Sequence, residues 1–299
     1  MRYFYGEGKT GPYFEGWYFR HLALDGAALA LIPALHIAGA GRKRASIQVI
    51  SWEGTWTVDY PGEAFQASRG VFQVWLGGNL FNRRGMWLDL RAPGLELRGE
   101  LRYGPFTPLR SDIMGPFRLA PAMECSHGVV SMGHRLEGAL RLNGRDLDFT
   151  GGTGYIETDR GRSFPASYLW TQCAWREARD NSLLLSIADI PYLGGRFTGC
   201  ICAVLYGGRE YRLATYRGAR VRRWSEGGAL VVQGPFRLEV ELLVGNSQPL
   251  RAPVGGRMTR TIRESLCAQV RYRFWAGDRL IFDHTDHRAG YEYDGGTEA

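Results

Sequence analysis

Hydrophobic and polar residues alternate with a period of two along most of this chain. Leu95, Leu97 and Leu101 alternate with Glu96, Arg98 and Glu100. Leu136, Leu140 and Leu142 share one parity, with Glu137 and Arg141 on the other. Leu147 and Phe149 then alternate with Asp146 and Asp148. Further along, Phe236, Leu238, Val240 and Leu242 are interleaved with Arg237, Glu239 and Glu241. Val270, Tyr272 and Phe274 are interleaved with Arg271 and Arg273, and Ala276-Gly277-Asp278 turns the chain into Leu280 and Phe282. Successive side chains of a strand point to opposite faces, so this pattern predicts antiparallel sheet with one covered side. Asn143-Gly144 between two alternating runs predicts a tight hairpin, because that pair accepts the positive φ angles such a turn needs. No stretch shows a helical period for more than about two turns.

Many short strands with frequent turns predict an all-β sandwich or barrel. A chain of 299 residues is too long for one small barrel, so two antiparallel barrel or sandwich domains packed together are expected. The run Gly151-Gly152-Thr153-Gly154 breaks the alternation near mid-chain. It places a junction around 150–165, with domains at 1–155 and 156–299. Aromatic-dense strand starts, Tyr13 to Phe19 and Phe164 to Trp170, hint at a duplicated module.

Composition adds modestly to this. Aromatic residues make up 13% and glycine 41 residues, which suits short strands joined by tight turns. The net charge of +7 is carried almost wholly by arginine, since Lys9 and Lys43 are the only lysines. The arginines are scattered along strands, so no nucleic-acid face is expected. Five dispersed cysteines without a CxxC spacing read as thiols in a reducing compartment. The N-terminus lacks the apolar core of a signal peptide, and the apolar run 27–40 is too short to span a bilayer. A cytoplasmic protein with no transmembrane segment is expected. There is no Gly-x-Ser-x-Gly elbow and no phosphate-cradling loop. His284, Asp286, His287 and Glu292 faintly suggest a metal site, but no convincing ligand set is complete, so no metal is expected.

Several motifs carry a resemblance. Phe14-Glu15-Gly16-Trp17-Tyr18-Phe19, the run from Gly152 to Pro165 containing Gly154-Tyr155-Ile156-Glu157-Thr158-Asp159, and Tyr168-Leu169-Trp170-Thr171-Gln172 resemble the tocopherol cyclase-like family. So do Met123-Glu124-Cys125-Ser126-His127-Gly128, Ala252-Pro253 with Gly256-Arg257-Met258, and Arg263-Glu264-Ser265. The resemblance implies two lipocalin-like barrels related to carotenoid hydratases. It also implies acid-catalysed cyclisation, hydration or isomerisation of a prenylated, phenolic or polyene small molecule, with no cofactor. In that chemistry a proton adds to an alkene and a phenol hydroxyl or water captures the tertiary cation. The reaction needs a carboxylic acid kept protonated by burial, aromatic faces that tolerate a cation, and exclusion of bulk water.

The sequence offers parts for this task. Glu15, Glu124, Glu157 and Glu264 each lie among apolar or aromatic residues. Glu157 and Asp159, two apart, would share a face on a strand, and a close pair raises one carboxyl pKa. Glu157, Asp159 and Glu15 are therefore the catalytic candidates. Trp17, Tyr18, Tyr155, Trp170, Gln172, Glu124, His127 and Glu264 are the candidates for lining the substrate cavity. Each has a plainer alternative. Glu157 and Asp159 would pair structurally with Arg160 or Arg162, Glu15 would bond backbone groups, and His127 would be a core or solvated histidine unless a turn brought it to Glu124. As a whole, the rival to an enzyme is a non-catalytic lipocalin-like carrier, which needs no acid.

Overall fold

The computed structural model describes residues 2–120, 123–177, 180–192 and 194–296. It is all-β, with two antiparallel sheets and a few 3-10 turns among the described residues. The first sheet contains β1 (Tyr13–Leu22), β2 (Ala28–Ile37), β3 (Lys43–Ser51), β4 (Gly54–Pro61), β5 (Phe65–Ala67) and β6 (Gln73–Leu76). It continues with β7 (Asn79–Asn82), β8 (Gly85–Ala92), β9 (Leu95–Tyr103), β10 (Cys125–Leu142), β11 (Arg145–Asp148) and β12 (Thr153–Gly161). The second contains β13 (Tyr168–Arg176), β14 (Asp180–Tyr192), β15 (Gly195–Tyr206), β16 (Arg209–Ala214) and β17 (Arg220–Ser225). To these it adds β18 (Gly228–Gln233), β19 (Phe236–Val244), β20 (Ser247–Val254), β21 (Arg257–Ala276) and β22 (Arg279–Asp294).

The two sheets share one connection order. The first runs β4-β3-β2-β1-β12-β10-β9-β8-β7-β6-β5, with β11 on β10. The second runs β16-β15-β14-β13-β22-β21-β19-β18-β17, with β20 on β21. In each, a four-strand meander is followed by the last strand and then by a long strand. In each, too, the two end strands are neighbours in sequence. The 3-10 turn Gly62–Ala64 links β4 to β5, and Thr215–Arg217 lies between β16 and β17. A link that short holds the ends of a sheet near each other, so each sheet curls around its own core. No hydrogen-bond ladder joins β4 to β5 or β16 to β17 among the described residues. The sheets are thus curled but not closed, which corrects the barrel part of the expectation. The physical reason is that the end strands are joined by a short turn with no backbone ladder between them.

The alternation does what its parity requires. Leu88, Leu90, Leu97, Leu101, Leu140 and Leu142 enter the first core, while Glu96, Arg98 and Arg141 face solvent. Asn143 and Gly144 adopt φ of 48° and 87° and join Leu142 to Arg145 as a two-residue hairpin turn. The second core is built by Leu183, Leu185, Val204, Leu238, Val270, Tyr272 and Phe274 among others.

The chain divides into two compact units. The first comprises Met1–Pro108, His127–Phe164 and Arg251–Arg260; the second comprises Leu109–Ser126, Pro165–Leu250 and Thr261–Ala299. Each unit thus includes one segment from the other half of the chain. In the first, Gln48 exchanges two hydrogen bonds with the Arg251 backbone, at 2.9 and 2.8 Å, and the Gly256 N–H donates to the Arg162 carbonyl. In the second, buried Arg212 donates to the Ser111 and Asp112 carbonyls and to Glu210, which in turn accepts the Arg110 N–H.

Candidate functional site

β1 is buried along its whole length, on both faces. Its odd positions Tyr13, Trp17 and Phe19 belong to the apolar core of the first unit. Its even positions point the other way. The ladder with β12 sets Trp17 opposite Thr158, Phe19 opposite Ile156, Tyr18 opposite Glu157 and Arg20 opposite Tyr155. Ile156 is a core residue, so Tyr155, Glu157 and Asp159 all stand on the face away from the core, with Tyr18 and Arg20.

β10, the next strand in the sheet, brings His127 to this face. Its Nδ1 lies 3.0 Å from Oδ1 of Asp159, and its Nε2 lies 3.4 Å from Oε2 of Glu157. The Tyr155 hydroxyl donates to that same Oε2 at 2.5 Å. The result is a chain of four groups, Asp159–His127–Glu157–Tyr155. Exposure falls along it, from 23% for the Asp159 side chain through 10% for His127 and 7% for Glu157 to fully buried Tyr155. Burial, reinforced by the neighbouring Glu157 carboxylate, pushes the Tyr155 phenol well above its ordinary pKa, so it acts as a neutral O–H donor. A hydrogen bond to Asp159 fixes the imidazole ring and sets Nε2 facing the Glu157 carboxyl at ion-pair distance. The donor atoms of His127, Glu157 and Asp159 lie within 4.8 Å of one another, a spacing that also suits a divalent cation.

Glu15 stands elsewhere. It shares the core-side parity of Tyr13 and Trp17. Its Oε2 accepts the Tyr13 hydroxyl at 2.8 Å and the Tyr5 N–H at 2.9 Å. Burial raises its pKa, against the pull of these hydrogen bonds. Trp17 stacks on Phe65 with ring centroids 6.2 Å apart, deep in the core. Alternation therefore puts Trp17 and Tyr18 on opposite faces, and the structure does not bring Glu15 and Trp17 to the Glu157 cluster.

The remaining candidates belong to the second unit. Glu124 is half-buried and precedes β10 in the segment Leu109–Ser126. Trp170 and Gln172 are buried on β13, opposite Glu292 and Gly290 of β22. Glu264 is fully buried on β21 and faces Glu292 across the ladder, and Glu292 accepts the Tyr168 hydroxyl at 2.9 Å. The row Trp170–Glu292–Glu264 was invisible to sequence reasoning, which had placed Glu292 with the histidines. His284 stacks on Trp175 at 4.3 Å and lies 3.4 Å from Asp286, while His287 points outward into solvent. Among the described residues the donor set found is the His127 one instead. The pairing of His127 with Glu157 and Asp159 was also missed. No local signal could have found it, because His127 precedes Glu157 by 30 residues and Asp159 by 32.

No protein-family model matches the chain, and no curated protein matches it in sequence. The motif resemblance to tocopherol cyclase-like proteins therefore has no support at the level of sequence families. Solved structures do match. The fold is similar to a protein assigned as AttH from Nitrosomonas europaea, with TM-score 0.56 and 13% identity over 95% of this chain and 93% of that one. It is similar to kievitone hydratase from Nectria haematococca, with TM-score 0.55 and 9% identity over 97% and 93%. It is also similar to CghA in the crystal structure with Sch210972, with TM-score 0.60 and 12% identity over 94% and 88%. At such identities these matches establish the fold.

Proposed function

We propose that this protein is a hydratase- or cyclase-like enzyme that adds a proton to a carbon–carbon double bond of a hydrophobic small molecule. The observation that carries the reading is the Asp159–His127–Glu157–Tyr155 chain on the face of β10 and β12 turned away from the core. A carrier needs no such arrangement, since apolar walls and one or two orienting donors suffice. The similarity in fold to kievitone hydratase supports the reaction class, and the motif resemblance to tocopherol cyclase-like proteins supports a prenylated phenolic or polyene substrate.

In this reading Glu157 and His127 share the transferable proton at Oε2 and Nε2. The proton passes to the alkene carbon that leaves the more substituted cation. Water, or a hydroxyl of the substrate, then attacks the cation and loses its proton back to the chain, so the site ends as it began. Asp159 orients the imidazole, and the Tyr155 hydroxyl holds Glu157 in place. The tyrosine faces of Tyr18 and Tyr155 offer the cation a negative quadrupole.

The test is turnover of prenylated phenols in deuterated water, followed by mass spectrometry and NMR of the product. Deuterium on carbon is expected with the native protein. Glu157→Gln and His127→Gln should each lower the rate by about 10²–10⁴-fold with the fold intact. Unchanged rates in both variants would remove the acid–base assignment.

A further inference from the structure

A cleft of about 490 Å³ opens in the first unit, where β2 turns into β3 and β4 passes to β5. It shares no residue with the proposed acid–base chain. Its floor is made by Phe4, Leu35 and Phe65, all core residues. Phe4 and Phe65 pack with centroids 5.7 Å apart, and Trp17 backs both rings. One wall is the N-terminal segment, held in place where the Tyr3 N–H donates to the Arg69 carbonyl at 3.0 Å and the Tyr5 N–H donates to Glu15. The rim carries Glu7, Lys43 and Arg69.

These three charges are not equivalent. Arg69 is neutralised by its ion pair with Glu7. Lys43 is exposed, and among the described residues it makes no ion pair. It is also one of only two lysines in the chain. A cleft with an aromatic and aliphatic floor and one uncompensated ammonium at its rim selects an apolar body with an anionic end. Its volume lies within the range of small-molecule sites, roughly 300–1,000 Å³. Gly8 and Gly70 lie in its lining, and a Cβ added at either would meet nothing within 4 Å.

We propose that this cleft is a second binding site, for an amphipathic anion such as an alkyl or aryl carboxylate or sulfonate. The apolar part lies on Phe4, Leu35 and Phe65, and the anionic group lies at Lys43.

The experiment is a fluorescence titration of the full chain with 8-anilinonaphthalene-1-sulfonate at neutral pH, followed by displacement with decanoate and with decanol. Saturable one-to-one binding is expected, with decanoate the better competitor. Gly70→Trp places an indole in the open space and should weaken binding by about tenfold or more. Lys43→Glu should weaken it by roughly fivefold, as expected for a partly solvated charge contact. Arg279→Glu, an exposed reversal in the second unit, should leave it unchanged. If Gly70→Trp fails to fold, Lys43→Glu and the decanoate–decanol comparison still decide. The proposal is overturned by absence of a saturable signal, by binding that survives the cleft substitutions, or by decanol competing as well as decanoate. These readouts are independent of turnover, so they do not depend on the acid–base reading.

Discussion

Glu157 and Glu15 are both buried glutamates that accept a tyrosine hydroxyl two residues away, yet they sit on opposite faces of one sheet. That difference decides what each can do. Glu157 faces His127, which bonds the half-open Asp159, and the proposed proton transfer runs through these groups. Glu15 ends in Tyr13 and the Tyr5 backbone. Glu15→Leu would strand both donors, and should lower stability by about 1–3 kcal/mol in urea unfolding, mainly from the buried Tyr13 hydroxyl left unmet. Glu15→Gln should keep turnover near the native rate. Tyr155→Phe behaves in the opposite way: it removes the O–H that fixes Oε2 of Glu157, and should slow turnover by about tenfold or more. A drop in kcat for Glu15→Gln comparable to that for Glu157→Gln would mean that the faces have been misassigned.

At the scale of elements, the turn between β10 and β11 is more than a reversal of direction. Asn143 is the only non-glycine residue with positive φ among the described residues. Its Oδ1 accepts the Glu96 N–H at 2.8 Å, and its Nδ2 donates to Glu53 and to the Gly94 carbonyl. The Asn143 side chain thus ties this turn to the one between β8 and β9. Asn143→Ala should cost about 1–3 kcal/mol, combining a lost left-handed preference with lost hydrogen bonds. Gly144→Val, at φ 87°, should cost a similar amount through backbone strain alone. Thermal melts of the two variants check this, and a silent Asn143→Ala would show that the tie contributes nothing.

For the whole molecule, three buried histidines set the response to acid. Burial lowers His21 to about 3, His134 to about 3 and His36 to about 4. His21 bonds Tyr103 at 2.8 Å, and His134 packs against the same tyrosine ring at 4.6 Å. In the unfolded chain each histidine binds its proton below about pH 6.5. The folded chain refuses that proton until about pH 3–4. Stability is therefore lost as pH falls from about 6.5 to 4, by about 1.4 kcal/mol per pH unit for each histidine. Glu15 opposes this trend, because its raised pKa makes the folded chain take up a proton first. One group against three leaves a net loss. Urea midpoints measured from pH 7 to pH 4 should drop steeply, and His134→Gln should flatten the slope by about one third. A flat profile would show that the histidines are not held neutral inside.

What the sequence determined was local. Alternation of period two assigned strand character, and within each strand it assigned which side chains share a face, because the pleat allows no other parity. That is why Glu157 and Asp159, two apart on β12, share a face. Asn143-Gly144 determined its turn, because few other dipeptides accept two positive φ angles. The tertiary structure decided everything that depends on register between distant strands. It placed His127 on the Glu157 face, and sent Glu15 and Trp17 to the other side. It gave Leu109–Ser126 and Arg251–Arg260 to the units opposite their own halves of the chain. It also left each sheet curled but unclosed. Parity within a strand is written in consecutive residues. The face that two strands have in common is set only when their ladder forms, and a one-residue slip would exchange every partner.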